Sequence, residues 1–193
     1  MSVKDYETRL YVKDDLSIGK SLVLKNDQSH YIRSVLRLKE NSQIALFNGE
    51  EGEWLSTIKI ISKKFVELEV IEQIKLQDVI SDIWLVFAPI KRTRIDYLAQ
   101  KATELGAGAL WPIFTKYTSV SRVNAERLRS NSIEAAEQSG RLTVPKILDP
   151  IDFDTLIEKW PHDRDLFCLD ETGRGAPILD AFRSSHQRAS GLL

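Results

Sequence analysis

The chain carries a single cysteine, Cys168, which excludes an internal disulfide framework and a zinc site built on paired thiolates. Set in the apolar run Leu166–Leu169, that thiol reads as an ordinary core residue. Histidine is scarce too. His30, His162 and His186 show no close pair at metal-ligand spacing, so no metal is expected. No apolar run approaches the roughly 18 residues that a membrane span needs, and residues 1–10, with Lys4, Asp5, Glu7 and Arg9, lack the apolar block of a signal peptide. A cytoplasmic protein with no membrane partner is the expectation. The sequence has no glycine-rich dinucleotide fingerprint, no phosphate-binding P-loop and no Gly-x-Ser-x-Gly elbow, and Gly173-Arg174-Gly175 is only a turn. An excess of one charge is missing as well: the formal net charge is −1, so any nucleic-acid footprint has to come from local patches.

What is present is enough for a core, with 42% hydrophobic residues in a chain of 193. Gln43–Phe47, Trp54–Ile61 and Phe65–Ile71 read as strands, the last two with period-two alternation, and Asn48-Gly49-Glu50-Glu51-Gly52 supplies a turn. A small antiparallel barrel is expected, interrupted by one helix over Asp27–Leu38. On that helix His30, Arg33 and Arg37 share the face opposite Ile32, Val35 and Leu36. Alternation fades over Glu72–Ser81, which puts the domain boundary near residue 75.

Beyond the boundary the pattern changes to an open α/β sheet. Ile83–Ala88 is a continuous apolar run, the mark of a strand buried on both faces. A helix follows on Ile95, Leu98, Ala99, Ala102 and Leu105, closed by Gly106. Ala109–Phe114 is the next strand, Asn124–Ser139 the next helix with Gly140 after it, and Val144–Leu148 a short extended piece. Asp152–Trp160 and Pro177–Arg183 read as helices, Asp165–Leu169 as a strand, and Leu192-Leu193 as the start of another.

Several polar groups can be read in two ways. The face of His30, Arg33 and Arg37 suits RNA phosphates, and equally suits a solvated helix surface. Lys91-Arg92-Thr93-Arg94 follows the first buried strand, where ligands of α/β sheets bind. Lys116, Arg122, Arg127 and Arg129 oppose only Glu126 and form the most basic stretch of the second half. Glu134, Glu137, Gln138 and Arg141 fall on one helix face, as a salt-bridged surface would also require.

His30-Tyr31-Ile32-Arg33-Ser34-Val35-Leu36-Arg37, Phe47-Asn48-Gly49, Lys91, Gln100-Lys101-Ala102-Thr103-Glu104-Leu105-Gly106, Pro112, Arg122, Glu134-Ala135-Ala136-Glu137-Gln138-Ser139-Gly140-Arg141 and Pro145 stand in an order and spacing that resemble the ribosomal RNA small subunit methyltransferase E family. The resemblance covers nearly the whole chain. It implies a PUA-like β-barrel over 1–75 that helps hold RNA, and a SPOUT-type α/β methyltransferase domain over 76–193 with a trefoil knot. It further implies a homodimer that uses S-adenosylmethionine to methylate N3 of a uridine in 16S ribosomal RNA, with the small ribosomal subunit as partner. Carried over by position, His30, Arg33 and Arg37 become the RNA face of the barrel, Lys91 and Arg94 the RNA-facing rim of the active site, and Arg122 a further RNA-binding residue. Glu134, Gln138 and Arg141 become the surroundings of that site. Leu169, Asp170, Glu171, Leu192 and Leu193 become the first edge of the donor pocket.

The sequence departs from the family after Leu193, where a Gly-Pro-Glu-Gly-Gly run and the remainder of the knot would follow. Two alternatives to the enzyme stay open: an RNA-binding remnant without transferase activity, and a protein that contacts only other proteins. Holding an adenine, a ribose and a charged amino-acid tail needs several convergent hydrogen-bonding groups in a formed pocket. These 193 residues expressed alone are therefore expected to bind S-adenosylmethionine very weakly. Calorimetric titration checks this, and micromolar binding would show the donor site to be complete as it stands.

Overall fold

Alternating apolar and polar side chains lay down the first of two units into which the chain divides, Met1–Val79 and Ile80–Leu193. The structure, a computed structural model, describes residues 6–79, 81–169, 172–185 and 190–192. In the first unit, β1 (Arg9–Tyr11), β2 (Ser21–Lys25), β3 (Gln43–Phe47), β4 (Glu53–Ile61) and β5 (Phe65–Lys75) form one sheet in the order β1-β3-β4-β5-β2. β1 runs parallel to β3 and the other neighbours are antiparallel. Every strand turns residues into a single apolar cluster, among them Leu10, Leu22, Ile44, Ile58 and Leu68, so the sheet is rolled around its own core. Register shifts between β4 and β5 at Glu53/Trp54, Leu55/Ser56 and Ile58/Ile60 supply the curvature. The Phe47-Asn48-Gly49 motif is the β3–β4 turn. Asn48 Oδ1 accepts the backbone N–H groups of Glu50 and Glu51 at 3.0 and 3.1 Å, and its Nδ2 donates to the Asp14 carbonyl at 3.2 Å.

The predicted helix over Asp27–Leu38 is shorter and of a different kind. α1 (Asn26–His30) runs directly into a π-helical turn, Tyr31–Val35. The Leu36 N–H reaches back five residues to the Tyr31 carbonyl at 2.9 Å, while Ile32 is driven fully into the barrel core. A wider turn advances each residue by a smaller angle, so positions i, i+3 and i+7 no longer line up. Arg37 lies beyond the helix, at φ +56°.

In the second unit, β6 (Ile83–Phe87) is followed by α2 (Arg92–Glu104), β7 (Ala109–Phe114) and α3 (Ala125–Ser139). Then come β8 (Lys146–Ile147), β9 (Ile151–Asp152), α4 (Phe153–Lys159), β10 (Asp165–Phe167), α5 (Ile178–Ser184) and β11 (Ser190–Leu192). The sheet is parallel, in the order β10-β11-β6-β7-β8, with β9 pairing the far end of β7. The extended residues near the end of the sequence are thus an inner strand between β10 and β6. Both faces of the sheet are covered, as parallel strands require. Leu85, Phe87 and Leu110 pack on Ala99 and Ala102 of α2 and Leu128 of α3. Val86, Trp111 and Ile113 on the opposite face pack against Leu156 of α4 and Trp160.

Three expectations are corrected at the edges of these elements. Leu105, counted as a core position, is 82% exposed because α2 ends at Glu104. Cys168 is exposed rather than buried, because β10 stops at Phe167. Ile83, at the start of β6, is exposed too. Among the described residues no helix is long and apolar enough to cross a membrane, and no group of three His, Cys, Asp or Glu is placed to hold a metal ion.

Aromatic packing on the α4 face fixes where β11 lies. Trp84, Trp111 and Trp160 are mutual neighbours at centroid distances of 5.9 to 6.1 Å, and the Arg164 guanidinium sits 3.9 Å from the Trp84 ring centre. Arg164 is anchored by donating to the Asp82 carbonyl at 2.7 Å and to its carboxylate at 2.6 Å. Gly191 of β11 pairs with Trp84 across the sheet, and a Cβ there would run into the Trp160 ring. Gly191→Ala should therefore overpack the layer and destabilise this unit by about 1–3 kcal/mol. Denaturation followed by tryptophan fluorescence in a Trp54→Phe background, which leaves only the three tryptophans of this cluster, measures the loss; an unchanged midpoint would contradict the packing described.

Candidate functional site

Parallel order sends the chain out of β6, β7, β10 and β11 on one rim of the sheet, where α/β proteins place their ligands. β6 leads into Pro89, Ile90 and Lys91 before α2 begins; β7 leads into the loop Thr115–Asn124 before α3. A cleft of about 700 Å³ opens between these two connections, lined by Pro89, Ile90, Ile95 and Asp96 on one side and Val120, Arg122 and Val123 on the other. Its walls mix apolar and polar surface in similar measure. Polar groups enter at the two helix starts, where α3 is capped by Asn124 Oδ1 accepting the Arg127 N–H at 2.9 Å.

Asp96 on α2 locks these walls. Its carboxylate accepts two parallel hydrogen bonds from Arg127 of α3, Nε at 2.7 Å and Nη2 at 2.5 Å, and a third from Asn131 Nδ2 at 2.7 Å. The hydrogen bond to Asp96 raises the Arg127 guanidinium above its usual value. Neither Asp96 nor its clamp stands out in the sequence, where Arg127 counts among the basic residues of an RNA track. Its charge is matched across the helices, and the open charges of that stretch are Lys116, Arg122 and Arg129, which make no ion pair among the described residues.

A second cavity, of about 280 Å³, lies along α2 and α3 and is lined by Tyr97, Gln100, Asn131, Glu134 and Gln138, with Thr93 and Asp96 toward its end. Glu134 and Gln138 thus stand together there, with Gln138 Nε2 donating to Glu134 Oε1 at 3.3 Å. Arg141 does not join them. Gly140 ends α3 in the left-handed conformation at φ +77°, and Arg141 turns to donate from Nε to the Glu104 carbonyl at 2.9 Å, closing the last turn of α2. Beside it Lys101 donates to Glu104 Oε2 at 2.6 Å, and this hydrogen bond raises Lys101 and lowers Glu104 from their ordinary values. The Gln100–Gly106 motif is therefore an interlocked helix end.

Lys91 and Arg94 are exposed on the rim beside the cleft, at the start of α2. Leu169 stands exposed two residues past the end of β10, and Leu192 is the last residue of the adjacent strand β11. Asp170, Glu171 and Leu193 lie outside the described residues. In the first unit His30 and Arg37 are exposed. Arg33 is tied down: its guanidinium donates to the Ser62 carbonyl at 3.2 Å and to that of Lys63, bracing the β4–β5 turn.

A family model described as an RNA methyltransferase domain matches residues 77–191, and one described as an RNA methyltransferase PUA domain matches residues 24–71. Ribosomal RNA small subunit methyltransferase E of Rickettsia conorii is 36% identical over 152 residues, 78% of this chain and 62% of that protein. The protein of the same name from Synechocystis is 29% identical over 177 residues, 90% of this chain but 58% of its relative. The chain thus spans less than two thirds of the length of either relative. The fold is shared with a ribosomal RNA small subunit methyltransferase E from Neisseria gonorrhoeae solved with S-adenosyl methionine bound, at a TM-score of 0.81, 24% identity and coverage of 97% of this chain and 79% of that one. It is shared too with a putative methyltransferase from Legionella pneumophila in complex with the same cofactor, at 0.82, 22%, 96% and 78%. The PUA domain and the α/β methyltransferase domain expected from the sequence are both present.

The end of α2 generates a test. Gly106 has φ +87°, and a Cβ on it would meet the Arg141 guanidinium at 2.9 Å. Gly106→Ala should destabilise by at least the roughly 1–2 kcal/mol of a left-handed non-glycine residue. Arg141→Ala removes both the clash and the cap, so the double variant should be less destabilised than the sum of the two. Strict additivity in denaturant titrations would refute the contact.

Proposed function

The chain belongs to the RNA methyltransferase family, and on that premise we propose that it methylates N3 of a uridine in 16S ribosomal RNA, with S-adenosylmethionine as donor. The observation that carries this is the division of labour along one rim. In the order β10-β11-β6-β7, the two strands that end at Phe167, two residues before Leu169, and at Leu192 stand next to the two that lead to Lys91, Arg94 and Arg122. Leu169, exposed beside the end of β11, offers an apolar surface of the kind an adenine ring lies on, and the strand ends offer backbone groups for its edge. Asp170, Glu171 and Leu193, next along the chain, complete that edge in this reading. Bound there, the donor supplies an electrophilic methyl group. The protein's part is to bring the uridine to it. Lys91, Arg94 and Arg122 hold the phosphates, and the apolar walls of Pro89, Ile90, Ile95 and Val123 take a base out of water. N3 carries a proton at neutral pH, so the reaction also calls for a general base within hydrogen-bond reach of it.

In the barrel, His30 and Arg37 make the RNA surface, with Arg33 contributing through the turn it braces. Glu134 and Gln138, with Arg141 closing α2, shape the surroundings of the rim. A homodimer and a cytoplasmic location beside the small ribosomal subunit belong to the same reading.

The experiment offers unmodified small-subunit RNA and methyl-labelled S-adenosylmethionine to the protein in the longest form its coding frame yields, and identifies the modified nucleoside by mass spectrometry. 3-Methyluridine is expected; a methyl on another atom overturns the N3 assignment, and RNA binding without transfer favours the RNA-binding remnant. Lys91→Ala with Arg122→Ala should weaken RNA binding and lower the log–log salt slope by roughly 2, about 0.9 for each phosphate that is no longer neutralised. Donor affinity should not change.

A further inference from the structure

We propose that the turn Thr115–Thr118 is a nucleotide-stacking element, in which the Tyr117 ring takes an unpaired base of the RNA and Lys116 the adjoining phosphate. The inference rests on the reading of this rim as an RNA site and names an interaction that the reading lacks.

Three observations converge on it. The first is exposure. Tyr117 is 86% exposed, whereas a tyrosine ordinarily lays its ring on the protein and shows only its hydroxyl to water. The second is rigidity. Thr115 donates its N–H to Thr118 Oγ1 at 2.8 Å, the two threonine hydroxyls meet at 3.0 Å, and the Thr118 N–H returns to the Thr115 carbonyl at 3.1 Å. A turn held on both sides in this way fixes its two middle residues, Lys116 and Tyr117, at the tip, so the ring is displayed on a scaffold that loses little freedom on binding. The third is charge. Lys116 Nζ lies 5.5 Å from the Tyr117 ring centre, and the loop from Thr115 to Asn124 contains Lys116 and Arg122 but no acidic residue. A cation over one side of a ring that is otherwise exposed matches a nucleotide, whose base stacks while its phosphate lies a few ångströms away.

Position decides which nucleotide. Tyr117 is not part of the cleft wall, but Val120, Arg122 and Val123, later in the same loop, are. A base drawn into the cleft leaves a neighbour in the strand without its stacking partner. The Tyr117 ring replaces that partner, so the turn holds the nucleotide flanking the one that reacts. The ring favours RNA whose bases are already unpaired, because a base inside a continuous stack has no free face to offer.

The test is fluorescence anisotropy with the intact protein and two RNA probes: a single-stranded decamer rich in uridine, and a hairpin with a fully paired stem of equal charge. Tyr117→Ala should weaken decamer binding by about ten-fold while leaving the salt slope unchanged, since a stacked base carries no counterion term. Tyr117→Phe should bind as the parent does. Lys116→Gln should lower the slope by roughly 1. Hairpin affinity should be indifferent to Tyr117. If the parent binds the decamer and Tyr117→Ala binds it equally well, the stacking proposal fails and the RNA reading stands. If Tyr117→Phe is as impaired as Tyr117→Ala, the hydroxyl rather than the ring is at work and stacking is again wrong. A parent that binds neither probe overturns the RNA reading, and this proposal with it.

Discussion

One carboxylate holds the rim together. Asp96 ties α2 to α3 through side-chain hydrogen bonds to both Arg127 and Asn131. The two helices begin where β6 and β7 end, so the spacing of their N-termini sets the width of the cleft. Apolar packing of Ala99, Ala102 and Leu128 under the helices supplies attraction without direction, because contacts between small smooth side chains tolerate sliding. The planar guanidinium–carboxylate fork does not tolerate it. At the other end of α2, Arg141 performs a similar task from the connection after α3. The pair of helices is pinned at both ends by arginines that α3 or its exit supplies.

Elements that bury one face, or end on a residue of special geometry, could be read directly. β3, β4 and β7 announce themselves through apolar patterning, and α3 through Asn124 at its start and Gly140 at its end, both of which perform the capping their chemistry suits. Contacts between residues distant in sequence could not be read. Arg127 looks like free charge because its partner lies thirty-one positions earlier on another helix. Arg141 looks like the next step of a helical face because Gly140 reverses the chain just before it. The helix that carries His30, Arg33 and Arg37 departs from the expected spacing for a local reason: the spacing assumes an α-helix throughout, and the chain passes into a π-helical turn at Tyr31 that buries Ile32 and leaves Val35, expected on the apolar face, exposed.

The candidate site was legible as residue types and only partly as a place. Lys91 and Arg94 could be put beside a strand end from the pattern alone, whereas Arg122 was legible only as part of a basic stretch. That β6 and β7 are neighbours, and that their connections face each other across one cleft, comes from the sheet order. Resemblance carried the fold further than periodicity did, since no pattern of alternation announces a PUA-like barrel by name. Periodicity also missed Tyr117, because a lone aromatic in a polar loop gives no signal until its exposure is known.

The place of β11 bears on how the molecule assembles. β6 meets β11 in register at Ile83 and Ser190, residues more than a hundred positions apart, and β10 reaches the sheet only through β11 among the described pairings. Such a closure has to wait for residues near Ser190, whereas the pairings of the barrel, hairpins and crossovers alike, join residues within about fifty positions of each other. During synthesis the barrel can form on its own while β6 and β7 wait with one edge bare. The edge strand β10 is therefore fastened only once β11 has docked, because β11 is the strand that joins it to β6.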